Sequence, residues 1–142
     1  MKIAFGGDHA GVEYKTKLIE VLTKAGHETK DFGPLTEESV DYPDFAHPLS
    51  TAVQNGEYEL GVLICGSGNG VAMTANKHEG IRAALCWNTE LAALSKQHNN
   101  ANVICIPARF VDYSLAEDMV NTFVSTDFEG GRHERRVAKI SC

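Results

Sequence analysis

Hydrophobic positions along the chain come in short apolar runs separated by stretches of helical period, the pattern of βαβ units around a parallel sheet. Ile3 to Phe5, begun by Lys2, is the first strand, and Leu18, Ile19, Leu22 and Ala25 then mark one face of a helix that Gly26 is placed to end. His27 to Phe32 reads as a weaker edge strand. Gly33 to Tyr42 is polar and loop-like, and Pro43 opens a helix through Gln54, with Pro48 inside it.

Leu60 to Cys65 is apolar on both faces, as a central parallel strand should be, and runs straight into Gly66-Ser67-Gly68-Asn69-Gly70. A helix over Val71 to Lys77 follows, then a strand from Ile81 to Trp87. Asn88 or Thr89 caps the next helix, whose Leu91 and Leu94 are expected to face the core before it ends near His98. Val103 to Ile106 is the fifth strand, and Leu115, Met119, Val120, Phe123 and Val124 trace the face of another helix. An Arg-rich polar tail begins at Gly130. With no linker or repeat in 142 residues, one domain over residues 1–142 is expected.

Composition narrows the functional classes. Charged residues are 23% and apolar residues 43% of the chain, and mean hydropathy is −0.20, so a packed soluble core is expected. A net charge of −6 argues against coating nucleic acid or an anionic membrane, so any anion site must be local. No run approaches the roughly 20 apolar residues of a bilayer span. The opening residues enter a strand without a charged and then apolar leader, and a cytoplasmic protein is expected. Cysteines 65, 86, 105 and 142 form no CxxC pair, which argues against a zinc site and a disulfide framework.

The glycine loop is the most informative local feature. Gly66, Gly68 and Gly70 allow a sharp turn and close approach of a ligand, and the following helix start offers free N–H groups to an anion or a developing oxyanion. It is GxGxG rather than GxGxxG, with no acidic residue about 20 positions on and no GK[ST], so a nucleotide site is disfavoured. Cys65 stands immediately before the loop, where open α/β sheets place ligands, and its thiol could act as a base or be merely buried. Asp8 and His9 follow the first strand, either as site residues or as a helix cap with a solvent-facing His9. His98 and Asn99 close a helix. Arg132 and Arg136 are one helical turn apart and could grip one phosphate together, or form a solvated helix end.

Several motifs in order, Gly7-Asp8-His9-Ala10-Gly11, Asp41-Tyr42-Pro43, Cys65 to Gly70 with Ala75-Asn76-Lys77, Gly80-Ile81-Arg82-Ala83, His98-Asn99, and Glu129 to His133 with Arg136, resemble the sugar-phosphate isomerases of the ribose-5-phosphate isomerase B family. The resemblance implies an α/β, Rossmann-like three-layer sandwich with a five-stranded parallel sheet. It also implies a homodimer or homotetramer with sites at the subunit interface, and aldose–ketose isomerisation of a sugar phosphate without cofactor or metal. By the same resemblance Cys65 matches the proton-transferring base and Gly66, Ser67, Gly68, Asn69 and Gly70 the enediolate-binding loop. His98 matches the ring-opening residue with Ser67 and Asp8 nearby. Asn99 and Tyr42 match sugar-binding positions, and His9, Arg109, Arg132 and Arg136 the phosphate-binding set. One branch of the family places a glutamate just after the glycine loop, whereas this chain has Val71 there and keeps Cys65. Ribose 5-phosphate is the expected substrate. A hexose 6-phosphate such as allose 6-phosphate, or binding without catalysis, is the alternative.

Overall fold

The computed structural model describes residues 1–142. Five strands, β1 (Lys2–Gly7), β2 (Glu28–Asp31), β3 (Leu60–Cys65), β4 (Ala83–Leu85) and β5 (Val103–Pro107), form one parallel sheet in the order β2-β1-β3-β5-β4. The helices are α1 (Val12–Lys24), α2 (Pro43–Gln54), α3 (Asn69–Ala75), α4 (Thr89–Gln97), α5 (Tyr113–Ser125) and α6 (Arg132–Ala138), with a 3-10 turn at His9–Gly11. No helix is long and apolar enough to cross a membrane.

Alternation along the central strands divides the core into two layers. Ile3, Phe5, Val62, Ile64, Ile104 and Ile106 face Leu18 and Leu22 of α1 and Met119 and Phe123 of α5. Ala4, Leu63, Cys65, Val103 and Cys105 face Leu49 of α2 and Val71 of α3. Because successive strand side chains point to opposite faces, a continuous apolar run such as Leu60 to Cys65 feeds both layers at once. The three-layer sandwich and its five parallel strands are therefore as the sequence implies.

Local signals hold at most element ends. Gly26, at φ 96°, donates its N–H to Thr23 O, and His27 donates to Leu22 O, closing α1 as a Schellman motif. Asn88, not Thr89, caps α4, its side-chain oxygen accepting the N–H of Leu91 at 2.8 Å.

Four expectations need correction. The fourth strand is only Ala83–Leu85; before its start the N–H of Arg82 is taken by the Asn102 side chain, and at its free edge that of Ala83 by Asn76, each at 2.8 Å. The third helix starts two residues early, at Asn69, directly from the left-handed Gly68, and ends at Ala75. The second strand is trimmed to Glu28–Asp31. Leu91 packs against the core from a half-buried position, as expected, whereas half-buried Leu94 does not join it. Ala92 and Ser95 are the buried positions of α4, and both leucines line a shallow cleft beside β4.

Candidate active site

In a parallel sheet every strand ends at the same edge, and the order β2-β1-β3-β5-β4 reverses direction beside β1, so ligands are expected beyond the carboxyl ends of β1 and β3. Three chain segments meet there. Asp8 leaves β1, its N–H bonded to Ile64 O at 3.1 Å, and its carboxylate caps the 3-10 turn through the N–H of Ala10 at 2.9 Å. Cys65 ends β3, and its backbone O accepts the N–H of Ala108 at 2.9 Å. Arg109, after β5, donates its backbone N–H to Gly66 O at 3.1 Å. Its guanidinium lies across that glycine, with Nη1 3.2 Å from where a side chain would begin.

The loop curls over the Cys65 sulfur. Gly68 sits at φ 76°, a conformation that favours glycine, and its N–H donates to Cys65 Sγ at 3.1 Å. Asn69 N–H donates to Ser67 Oγ at 3.3 Å, and the N–H groups of Gly70 and Val71 open α3 without partners inside the helix. Tyr42 covers Gly70, where a Cβ would lie 2.5 Å from the ring. Ser67 and Asn69 line one side of a cleft of about 270 Å³ whose other walls are Leu85, Trp87, Pro107 and Phe110.

His9 is partly buried rather than solvent-facing, and its Nδ1 accepts the N–H of Val40 at 3.3 Å. In the neutral ring this leaves the proton on Nε2. Asp8 is thus the helix cap that the sequence allowed, and it also stands at the sheet edge where the loop and the sulfur meet.

The other cysteines lack this setting. Cys105 is fully buried, and burial followed by the nearby Cys65 pushes its thiol up, while burial pushes the Cys86 thiol up to about 11. Both are structural thiols.

His98, Asn99, Arg132 and Arg136 are elsewhere. Helix α4 crosses from the carboxyl edge back to the amino edge, so His98 caps it at the opposite end of the sheet. The tail is tied to the same place, the N–H of Glu129 donating to Gln97 O at 3.1 Å. Glu129 Oε1 lies 3.5 Å from His98 Nε2 and 3.8 Å from His133 Nε2. The two imidazoles stack with centroids 4.3 Å apart and an interplanar angle of 12°. Arg132 and Arg136 share α6 one turn apart, both exposed, and Asn99, also exposed, directly follows His98 in the chain.

Single-chain geometry therefore gathers Asp8, His9, Tyr42, Cys65 to Gly70 and Arg109 at one edge and leaves the other four residues at the far edge. The intervening strand β5 alone spans about 13 Å. Sequence reasoning gave no role to Glu129 or His133. Glu129 lies before α6, across Gly130 and Gly131 at positive φ, so no helical periodicity marked the pair.

The ribose/galactose isomerase family model matches residues 3–140. Ribose-5-phosphate isomerase B of Escherichia coli is 42% identical over 140 residues, covering 99% of this chain and 94% of that protein. The solved ribose-5-phosphate isomerase B of Clostridium thermocellum is 46% identical, with a TM-score of 0.97 over 99% of this chain and 95% of its own. The Mycoplasma genitalium enzyme, solved with ribulose 5-phosphate bound, is 43% identical, with a TM-score of 0.94 over 98% of this chain and 93% of its own. A match from residue 3 to residue 140, with sequence and fold shared over almost the full length of these relatives, leaves one conclusion: the chain belongs to the ribose/galactose isomerase family.

Proposed function

We propose that this chain interconverts ribose 5-phosphate and ribulose 5-phosphate, with Cys65 as the proton-transferring base. The observation that carries the reading is the sulfur of Cys65, held by the N–H of Gly68 at the root of an amide-rich loop, in a chain with a close relative solved with ribulose 5-phosphate bound.

The chemistry follows from what the reaction needs. The furanose must open, by removal of the proton on the C1 hydroxyl oxygen and protonation of the ring oxygen; His98 does this work, with Ser67 and Asp8 at the sugar. Cys65 as thiolate then takes the proton from C2, and the electron pair moves onto O1 to give the enediolate. Loop amides from Gly66 to Gly70 stabilise that charge as it develops. A proton passes from O2 to O1 and Cys65 returns its own to C1, so one hydrogen has moved from C2 to C1 and nothing is consumed. His9, Arg109, Arg132 and Arg136 hold the phosphate, and Tyr42 and Asn99 the sugar.

Since Cys65 and His98 lie at opposite edges of one chain, the working site is built by two copies, one giving the Cys65 edge and the other His98, Asn99, Arg132 and Arg136. A two-fold dimer makes two such sites. Half-buried Leu91 and Leu94 on α4 and the three-residue edge strand β4 support an interface on that side. A phosphorylated sugar as substrate fits a cytoplasmic enzyme of the pentose phosphate pathway.

Purified chain incubated with ribose 5-phosphate in chelator-treated buffer should form ribulose 5-phosphate. Cys65→Ala should lower kcat at least about a hundredfold with KM little changed. Full turnover by Cys65→Ala would remove the thiol from the mechanism. No turnover by the wild-type chain would remove this substrate, and allose 6-phosphate would be tried next.

A further inference from the structure

Two imidazoles and a carboxylate converge at the amino edge of the sheet, and nothing in the isomerase reaction requires the three together. We infer that His98, Glu129 and His133 form a binding site for a borderline divalent cation of the zinc class, and that occupancy of this site shuts off turnover.

Donor chemistry and spacing both fit. Two neutral imidazole nitrogens and one carboxylate oxygen are a recurrent zinc set that leaves a fourth position for water. Bonds of about 2.0–2.1 Å place tetrahedral ligand atoms about 3.4 Å apart. Glu129 Oε1 stands 3.5 Å from His98 Nε2 and 3.8 Å from His133 Nε2, and one ligand atom from each of the three lies within 4.8 Å of the others. The stacked rings need a tilt to aim both nitrogens at one ion, and the His98 side chain, 41% exposed, has room to make it.

The backbone already fixes most of the arrangement. Glu129 N–H is bonded to Gln97 O, next to His98, and His133 N–H to Gly130 O, so the end of α4 and the 129–133 segment that carry the ligands are tied together. Arg132 and Arg136 place positive charge beside the site. That charge penalises every cation, and only one forming strong bonds to nitrogen overcomes it, which selects zinc, copper, nickel or cobalt over magnesium and calcium.

Inhibition follows because the ion takes His98 Nε2, the nitrogen that would exchange a proton during ring opening; this step rests on the proposed function, whereas cation binding does not. The full chain is titrated with Zn²⁺ by calorimetry and with Co²⁺ by absorption. One ion per chain is expected, with visible Co²⁺ bands and no intense sulfur-to-metal charge transfer. His133→Gln and Glu129→Gln should each weaken Zn²⁺ at least tenfold, while Cys65→Ala and Cys142→Ser bind it as the wild type does. No binding, binding untouched by both ligand variants, or binding lost with either cysteine would overturn the site. Turnover of ribose 5-phosphate should fall as Zn²⁺ fills the site and return with chelator. Binding confirmed by the ligand variants but with full turnover would support the cation site and instead count against His98 in the reaction.

Discussion

Cys65 and His98 occupy opposite edges of the same sheet: Cys65 ends β3, while His98 caps α4 after that helix has crossed back to the start of β5. Their side chains cannot serve one substrate within a chain, because the strand between those edges spans about 13 Å. Under the proposed roles, this separation means that the base and the ring-opening residue come from different copies.

Mixing two inactive variants tests the separation directly. Cys65→Ala and His98→Ala should each be inactive alone. When dissociated and reassociated together, half of the dimers pair unlike chains, and each such dimer holds one site with both residues intact. Activity should then recover to about one quarter of wild type. No recovery despite proven subunit exchange, measured with differently tagged chains, would place the two residues in one chain's site or in none.

Much of the fold was legible because it rests on local rules. Proline at the first turn fixed the start of α2 at Pro43, glycine at the left-handed position fixed the end of α1, and unbroken apolar runs marked β3 and β5. The shortfalls came where distant groups decide. Asn102 takes the backbone donor of Arg82, just before β4, and no local pattern marks a side chain reaching across 20 residues. Leu94 has core-like spacing but stays half-buried at a cleft that Leu91, packed on the core, also lines. The motif residues were readable one by one, yet their division between two edges depends on the β4 to α4 to β5 crossover. Lys15 was hidden because a charged residue is assumed to be solvated, although it shares the spacing of Leu18 and Leu22 and is equally buried.

Gly70 and Tyr42 give a steric prediction. A Cβ at Gly70 would sit 2.5–2.8 Å from three ring carbons of Tyr42, and Gly70 has no positive φ, so alanine meets the ring and not backbone strain. Gly70→Ala should displace Tyr42 and raise KM several-fold with a smaller change in kcat. In the Tyr42→Ala background the added methyl should have little further effect, a coupling a double-mutant cycle measures. Additive losses in KM would mean that the tyrosine does not transmit the effect.

Lys15 should matter for stability. Its side chain is 1% exposed, and Nζ donates to Asp31 Oδ1 at 2.8 Å and to Pro34 O. Asp31 Oδ1 also accepts the N–H of Gly33 at 2.8 Å, and Gly33 O takes the N–H of Gly7, so the lysine ties α1 to the loop beside β1. Removing one member of a buried pair strands the other. Lys15→Met should cost about 3 kcal/mol, toward the low end for such pairs because the Asp31 side chain keeps 25% exposure. That corresponds to a fall in Tm of roughly 10 °C for a domain of this size. A Tm within about 2 °C of wild type would mean that water replaces the lysine without penalty.

His78 is expected to contribute to the pH dependence of stability. Its Nε2 lies 2.7 Å from His47 Nδ1 and its Nδ1 3.4 Å from Gln54 Oε1. With the Nδ1 proton given to Gln54, Nε2 must accept from His47, an arrangement that a second proton on His78 breaks. Burial, and then His47, hold its pKa below the ordinary value of 6.5. Between that value and the lower folded one, the unfolded chain binds a proton that the folded chain refuses. Stability from this contact is therefore present above 6.5 and falls as the solution is acidified through the folded pKa. Carboxylates contribute to acid destabilisation as well, so the comparison is with His78→Gln, which should show a shallower loss of urea midpoint between pH 7 and pH 5. Parallel curves for the two proteins would mean that His78 takes its proton equally in both states, and the hydrogen bond to His47 would then have no share in the acid response.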